Sequence, residues 1–156
     1  MAVTRRSAGV LMHRTGADGG VEVLLGHMGG PFWARKQERA WSVPKGEHSP
    51  EEDAWAAAVR EWGEETGLPL PGVDPVPLGS VRQSSGKEVT VWAVEGDLDA
   101  AAAVSNTFSL EWPRGSGRVQ EFPELDRFAW VDLDTARDLL VAGQVPFLDR
   151  LLASLG

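Results

Sequence analysis

Three glutamates in the first half of the chain are spaced so that they could act together. Glu64 and Glu65 follow Glu61 by three and four residues. On an α-helix these positions are neighbours, and each like-charged pair costs an isolated helix about 0.2–0.5 kcal/mol. Folding stability therefore does not select the arrangement. Hard divalent cations would explain it, because Mg²⁺ and Mn²⁺ prefer carboxylate oxygens as ligands. The alternative interpretation is a solvated acidic face, which is the usual role of a lone Glu-Glu pair.

The surrounding sequence predicts the helix that would carry these carboxylates. Residues 54–66 contain no proline, and Gly67 supplies a stop at the C-terminal end. At 100° per residue, Trp55, Val59 and Trp62 share one side, which we assign to the core. Small side chains beside the acidic face leave room for ions and a ligand; they are Ala54, Ala57 and Ala58.

The helix belongs to a longer pattern over residues 46–68. This segment resembles the Nudix box, G-x(5)-E-x(7)-R-E-U-x-E-E-x-G-U, in which U is a bulky apolar residue. The matching positions are Gly46, Glu52, Arg60, Glu61, Glu64, Glu65, Gly67 and Leu68. Trp62 occupies the first U, where an aliphatic residue is usual, so it departs in size and not in polarity. The resemblance implies a Nudix hydrolase: an α/β fold of the α/β/α sandwich type, with a mixed sheet and a catalytic loop-helix-loop, over residues 1–156 as one domain.

The same resemblance assigns a metal site. It implies that Glu61, Glu64 and Glu65 bind two to three Mg²⁺ or Mn²⁺ ions and that the carbonyl of Gly46 reaches one of them. The ions would lower the pKa of a bound water, which attacks a phosphorus atom. Either Glu64 or Glu61 would act as the general base, and the sequence leaves both alternatives open.

Two further box residues are expected to orient the carboxylates. Arg60 is expected to do so by ion pairing, as part of the catalytic set. Glu52 would point away from Glu61 if the helix began early at Ser49. The Nudix resemblance implies instead a loop as far as Glu52, with Asp53 as the helix N-cap. We expect this arrangement, because a loop can fold Glu52 back toward Arg60.

Binding of several ions requires a fourth carboxylate. The segment 123–131 resembles the late strand of Nudix enzymes, in which an acid precedes a strand centred on tryptophan. Glu124 is the predicted metal ligand, and Glu121 is the second choice. The alternative for either residue is an ordinary acid in a surface loop.

Basic residues near the box are candidates for phosphate contacts. The run from Trp41 to Gly46 resembles the W-x-x-P-K-G entry of Nudix enzymes that act on dinucleoside polyphosphates, capped RNA and diphosphoinositols. Lys45 of this run would contact a phosphate as a point charge. Arg35 and Arg39 are assigned with it to substrate binding. Further candidates are Lys36, Arg82, Lys87, Arg114 and Arg118, and the alternative for each of them is an ordinary solvated base.

Composition limits the possible functions. The 156 residues carry 23 acids against 15 bases, a formal net charge of -8. Such a chain is a poor candidate for coating DNA or a membrane surface, so nucleic acid is not an expected partner except at an RNA 5′ end. The absence of cysteine excludes thiolate zinc sites, cysteine nucleophiles and the usual form of isoprenoid diphosphate isomerase. No apolar run suits a membrane span or a signal peptide, so a cytoplasmic protein is expected.

The expected function is Mg²⁺-dependent hydrolysis of a pyrophosphate bond in a nucleoside diphosphate linked to a further group. The substrate would be a nucleoside triphosphate, a dinucleoside polyphosphate or a related phosphate-rich compound. The alternative is a catalytically silent Nudix fold that binds a nucleotide or sugar-nucleotide. The oligomeric state is left open between monomer and homodimer.

The rest of the chain is assigned to the elements around the site. Strands are predicted at 10–13, 21–25, 41–43, 78–83, 89–94 and 128–131. The proline-rich segment 68–77 is predicted as a connecting loop, and 105–120 as irregular. Two late helices are predicted, at 134–141 with Asp134 as N-cap and at 146–155.

Overall fold

A mixed sheet with helices on both faces forms the body of the protein. The computed structural model describes residues 5–71 and 74–156. Its strands are β1 (Arg6–Thr15), β2 (Val21–Met28), β3 (Trp41–Ser42), β4 (Lys45–His48), β5 (Val76–Arg82), β6 (Glu88–Glu95), β7 (Thr107–Glu111), β8 (Val119–Pro123) and β9 (Leu125–Asp132). Its helices are α1 (Ala54–Thr66), α2 (Leu133–Leu139) and α3 (Pro146–Leu155), and single 3₁₀ turns occur at Ala100–Ala102 and Ala142–Gln144.

Strand β1 changes its antiparallel partner halfway along its length. The main sheet runs β3-β2-β1-β6-β5, with β9 paired to β2 and β6 parallel to β1. Residues 13–15 of β1 pair with β2, whereas residues 6–9 pair with β4. This exchange brings the segment that leads into α1 to the start of β1, where the predicted site residues converge.

The two faces of the sheet bury separate apolar cores. On one face, Val10 and Met12 of β1 pack with Trp62 of α1. On the other, Leu11 packs with a cluster from α3 that includes Phe147. Helices thus cover both faces, which confirms the predicted α/β/α sandwich with a mixed sheet.

Helix α1 spans the predicted residues and has the predicted N-cap. The Asp53 carboxylate accepts a hydrogen bond from the Ala56 N–H at 3.0 Å, and Gly67 ends the helix at φ 69°. The assignment of Val59 to the core is wrong, because the residue is 40% exposed. The helix instead presents the small Ala57 and Ala58 to the sheet.

Other predicted elements are displaced or missed. Helix α2 begins at Leu133 and is capped by Asp132, which accepts a hydrogen bond from the Thr135 N–H, so the assignment of Asp134 as N-cap is wrong. The segment predicted as irregular contains β7 and the start of β8, which form a separate two-stranded ribbon. Residues 45–48, which lie in the segment expected to be a loop as far as Glu52, form strand β4. Part of the predicted loop 68–77, residues 72 and 73, lies outside the described residues.

Candidate active site

A polar cleft of about 220 Å³ lies where β1, β4 and α1 meet. Its lining consists of Ser7, Lys45, Gly46, Glu47, Glu61, Glu64, Glu65, Lys87, Asn106 and Glu124. The structure thus brings together all five residues predicted to ligate metal. A larger cavity, of about 420 Å³, lies beside His13 at the other end of β1 and contains none of the predicted site residues.

Arg60 connects the acids of the box to one another. Its Nε and Nη2 donate to the two carboxylate oxygens of Glu52 at 3.0 and 2.9 Å. Its Nη1 donates to Glu61 at 2.9 Å and contacts Glu64 at 3.3 Å. The paired guanidinium lowers the pKa of Glu52, and the acids around Arg60, Glu52 first, raise its own pKa. Glu52 thus holds the Arg60 guanidinium by two hydrogen bonds while lying outside the cleft lining.

Glu61 lies directly against the backbone of β4. A Cβ atom added to Gly46 would overlap the Glu61 carboxylate, so the absence of a side chain at position 46 creates the space that this carboxylate fills. Burial and the neighbouring charge of Glu64 raise the pKa of Glu61, and Arg60 opposes both effects.

Glu65 is the most deeply buried carboxylate of the cleft. Its residue is 6% exposed, and its buried Oε2 atom has no hydrogen-bond partner among the described residues. Burial, followed by repulsion from Glu124 and Glu61, raises the pKa of Glu65 to about 8. A buried carboxylate without a partner is costly, and a cation would relieve that cost.

The carboxylates of the cleft are suitable ligands for a hard divalent cation, although they do not lie close enough together to form a complete metal site. No group of three or more His, Asp or Glu side chains within residues 5–71 and 74–156 has the spacing of a complete metal site. Arg60 holds Glu61 and Glu64 on one side of the cleft, while Glu65 faces Glu124. The unpaired Oε2 of Glu65 and the cradle at Gly46 are nevertheless features that carboxylate-ligated Mg²⁺ or Mn²⁺ would complete.

A short backbone strap positions Glu124 relative to helix α1. The Asn106 N–H donates to the Glu64 carbonyl at 2.8 Å, and the Asn106 carbonyl accepts from the Glu124 N–H at 2.9 Å. Beside it, the Ser105 hydroxyl accepts from the Leu125 N–H at 3.0 Å. Burial raises the pKa of Glu124, with the two cleft lysines opposing. The second choice, Glu121, is exposed on β8 and does not line the cleft.

Two lysines supply the positive charge of the cleft. Lys45 and Lys87 both line it, and burial together with the charge of Lys87 lowers the pKa of Lys45. The structure does not place the other two predicted substrate contacts with them. Arg39 donates through Nη1 to the carbonyls of Arg137 and Leu140 at the end of α2, and Arg35 is exposed in the preceding loop.

The sequence did not point to three of the cleft residues, which are Ser7, Glu47 and Asn106. Ser7 lies in β1, where the only signal was a small polar residue ahead of an apolar run. Asn106 lies in a segment that was predicted to be irregular, and its role depends on contacts with residues far away in the sequence.

Comparison with known proteins gives one family and many similar folds. The family described as NUDIX domain matches residues 3–151. A C. elegans Ap4A hydrolase in a binary complex has a TM-score of 0.66 at 23% identity, covering 96% of this chain and 97% of that chain. The NUDIX domain of Shewanella oneidensis NrtR, complexed with ADP ribose, has a TM-score of 0.64 at 14% identity, covering 100% and 91%. MutT protein from Methanosarcina mazei Go1 has a TM-score of 0.59 at 22% identity, covering 97% and 95%. No curated protein sequence matches the chain.

Proposed function

The chain belongs to the NUDIX domain family, as the resemblance of its box predicted, and from this premise we propose a metal-dependent hydrolase that cleaves pyrophosphate bonds. The family and the hydrolases of the same fold indicate a pyrophosphohydrolase. The substrate would be a nucleoside diphosphate linked to a further group, such as a nucleoside triphosphate or a dinucleoside polyphosphate. A single Nudix domain over residues 1–156 is part of the proposal.

One observation carries the proposal: an unpaired, buried carboxylate oxygen shares a small cleft with two lysines. A cation would neutralise the carboxylate form of Glu65, and Lys45 and Lys87 attract an anion. A phosphate-rich substrate accompanied by divalent cations meets both requirements, whereas a solvated acidic face would leave the buried Oε2 atom unexplained.

The residues divide the work as follows. Glu61, Glu64, Glu65, Glu124 and the Gly46 carbonyl would hold two to three Mg²⁺ or Mn²⁺ ions, which when bound neutralise phosphate charge and activate water. Arg60, fixed by Glu52, keeps the Glu61 and Glu64 carboxylates oriented toward the cleft. Glu64 or Glu61 accepts the proton of the attacking water. Glu64 is the more accessible of the two, with 43% of its side chain exposed.

The lysines would bind and orient the substrate phosphates. Their positive charges offset the repulsion between a polyphosphate and the carboxylates of the same cleft. The Ap4A hydrolase and the domain complexed with ADP ribose share this fold, and they indicate which ligands to test first. None of the helices in the described part of the chain is long and apolar enough to cross a membrane. We propose a cytoplasmic enzyme, as monomer or homodimer, that acts on small molecules and not on nucleic acid, RNA 5′ ends excepted.

A phosphate-release screen tests this function. The protein is incubated with Mg²⁺ or Mn²⁺ and nucleoside triphosphates, dinucleoside polyphosphates, ADP-ribose, NADH, diphosphoinositols or 5′-triphosphorylated RNA. Metal-dependent turnover of one class is expected, and it should be lost in Glu64→Gln. The exposed Glu121→Gln serves as the matched control and should retain turnover. Tight nucleotide binding without product over hours would instead show a silent binding module.

A further inference from the structure

Ser7 lines the cleft, and its buried hydroxyl has no hydrogen-bond partner among the described residues. The residue is 1% exposed, and its Oγ atom makes no hydrogen bond within the described residues. It lies in the middle of the sheet, opposite Glu47 of β4 on one side and Val89 of β6 on the other. The backbone of Ser7 is therefore held in place by two neighbouring strands.

Packing alone does not explain a hydroxyl at this position. Burying a polar group without a hydrogen bond destabilises a fold, whereas an alanine would bury no polar atom. The next residue, Ala8, is itself fully buried and packs with the core under α1. The hydroxyl of Ser7 thus lowers the stability of the ligand-free protein, and no hydrogen bond within the described residues offsets this effect.

The cleft around Ser7 indicates what the missing partner is. Lys45 and Lys87 line the same cleft and have no carboxylate within 4 Å in the described structure, so they are available to an incoming anion. None of the cleft carboxylates reaches Ser7 Oγ. A phosphate oxygen only accepts hydrogen bonds, and a serine hydroxyl can turn toward it by rotating between staggered positions.

We propose that Ser7 Oγ donates a hydrogen bond to a non-bridging phosphate oxygen of the bound substrate. This assignment rests on the proposed function and adds a neutral donor to the two lysines. It makes Ser7 a substrate-contact residue, and it accounts for an unpaired hydroxyl as a donor kept for the ligand.

The test compares the wild type with Ser7→Ala and with Ser7→Cys, which retains the size of the side chain but only a weak donor. Affinity for a methylene-bridged nucleoside triphosphate, which resists hydrolysis, is measured by calorimetry with Mg²⁺ present. Both variants should bind it about 10-fold more weakly, as expected for a lost hydrogen bond to a charged group. Their melting temperatures should equal or exceed that of the wild type, because a buried unpaired hydroxyl has been removed. Ser80→Ala, whose hydroxyl bonds Thr90 outside the cleft, should bind like the wild type.

Other results overturn the assignment. Equal affinity of wild type and variants would show that Ser7 does not contact the phosphate. Weaker binding of Mn²⁺ alone, or a lower melting temperature that parallels the loss of affinity, would show a role in the metal site or in folding instead. The analogue experiment does not depend on turnover. If the wild type binds the analogue but hydrolyses nothing, the proposed function fails while the contact of Ser7 is still decided.

Discussion

The carboxylate of Glu61 packs directly against Gly46 and fills the position that a side chain on residue 46 would need. Gly46 lies in β4 and Glu61 in α1, so the contact fixes the distance between the strand and the helix at the cleft. Glycine is required here by close approach and not by a left-handed backbone, because its φ is not among the positive values.

Gly46→Ala should therefore abolish most of the activity without unfolding the protein. The added methyl group must displace Glu61 from its place beside Arg60, and we expect turnover to fall at least 100-fold. The measurement is kcat/KM together with the melting temperature. Gly63→Ala, in the helix that carries Glu61 and with open space around the added Cβ, is the control and should retain activity. Normal turnover by Gly46→Ala would contradict the proposed position of Glu61.

The unpaired Glu65 should make the metal-free protein less stable at high pH. Its pKa is about 8 in the folded protein and near 4.5 when unfolded, so between these values the folded state holds a proton that the unfolded state has released. Stability of the metal-free protein should thus fall as pH rises from 4.5 to 8. Glu65→Gln should flatten this part of the profile and raise the melting temperature at pH 8. An unchanged pH profile would contradict the burial of an ionisable group here.

The same carboxyl should release a proton when a divalent cation binds. At pH 7 a group with a pKa of about 8 is mostly protonated, and ligation requires its carboxylate form. Affinity for Mg²⁺ should therefore increase from pH 6 to pH 8. Calorimetry in two buffers with different ionisation enthalpies counts the protons released, and Glu65→Gln should release fewer. Equal proton release by the wild type and the variant would assign the effect to another group.

Arg60 and Glu52 should behave as one unit. Without Glu52, Arg60 Nε and Nη2 lose their carboxylate partner. Without Arg60, Glu61 loses its ion pair. Arg60→Gln and Glu52→Gln should each reduce kcat about 10- to 100-fold, and the double variant should lose little more than the worse single one. Additive losses would show that Glu52 acts independently of Arg60.

The lysines of the cleft should determine substrate affinity. Lys45→Met and Lys87→Met, which keep the length of the side chain, should each raise KM about 10-fold and reduce the salt dependence of binding. Lys36→Met is the control, because Lys36 lies over the Trp33 ring and outside the cleft lining. A KM that is unchanged in both cleft variants would remove the lysines from the phosphate site.

Arg39 should affect stability and not substrate binding. Its side chain donates to carbonyls at the C-terminal end of α2, so Arg39→Ala should lower the free energy of unfolding by about 1 kcal/mol. Chemical denaturation measures that loss. A large increase in KM, without loss of stability, would restore Arg39 to the substrate site.

The sequence predicted what depends on local spacing. The Gly67 stop of α1 and the common position of Glu61, Glu64 and Glu65 along the cleft follow from neighbouring residues. The Asp53 cap followed from the Nudix resemblance, because the local sequence also allowed a start at Ser49. Contacts between distant segments could not be inferred. The link from Asn106 to Glu64 and Glu124 spans residues that are not adjacent in sequence. The burial of Ser7 depends on strands that join β1 from two separate parts of the chain.

Counting bound Mn²⁺ by electron paramagnetic resonance tests the central claim most directly, because free and protein-bound Mn²⁺ give different signals. The wild type, together with the methylene-bridged nucleotide, should bind two to three ions, and the double variant Glu64→Gln, Glu65→Gln should bind fewer and more weakly. Glu121→Gln should match the wild type. If wild type and double variant bound the same number of ions with equal affinity, the cleft would not be a metal-dependent active site.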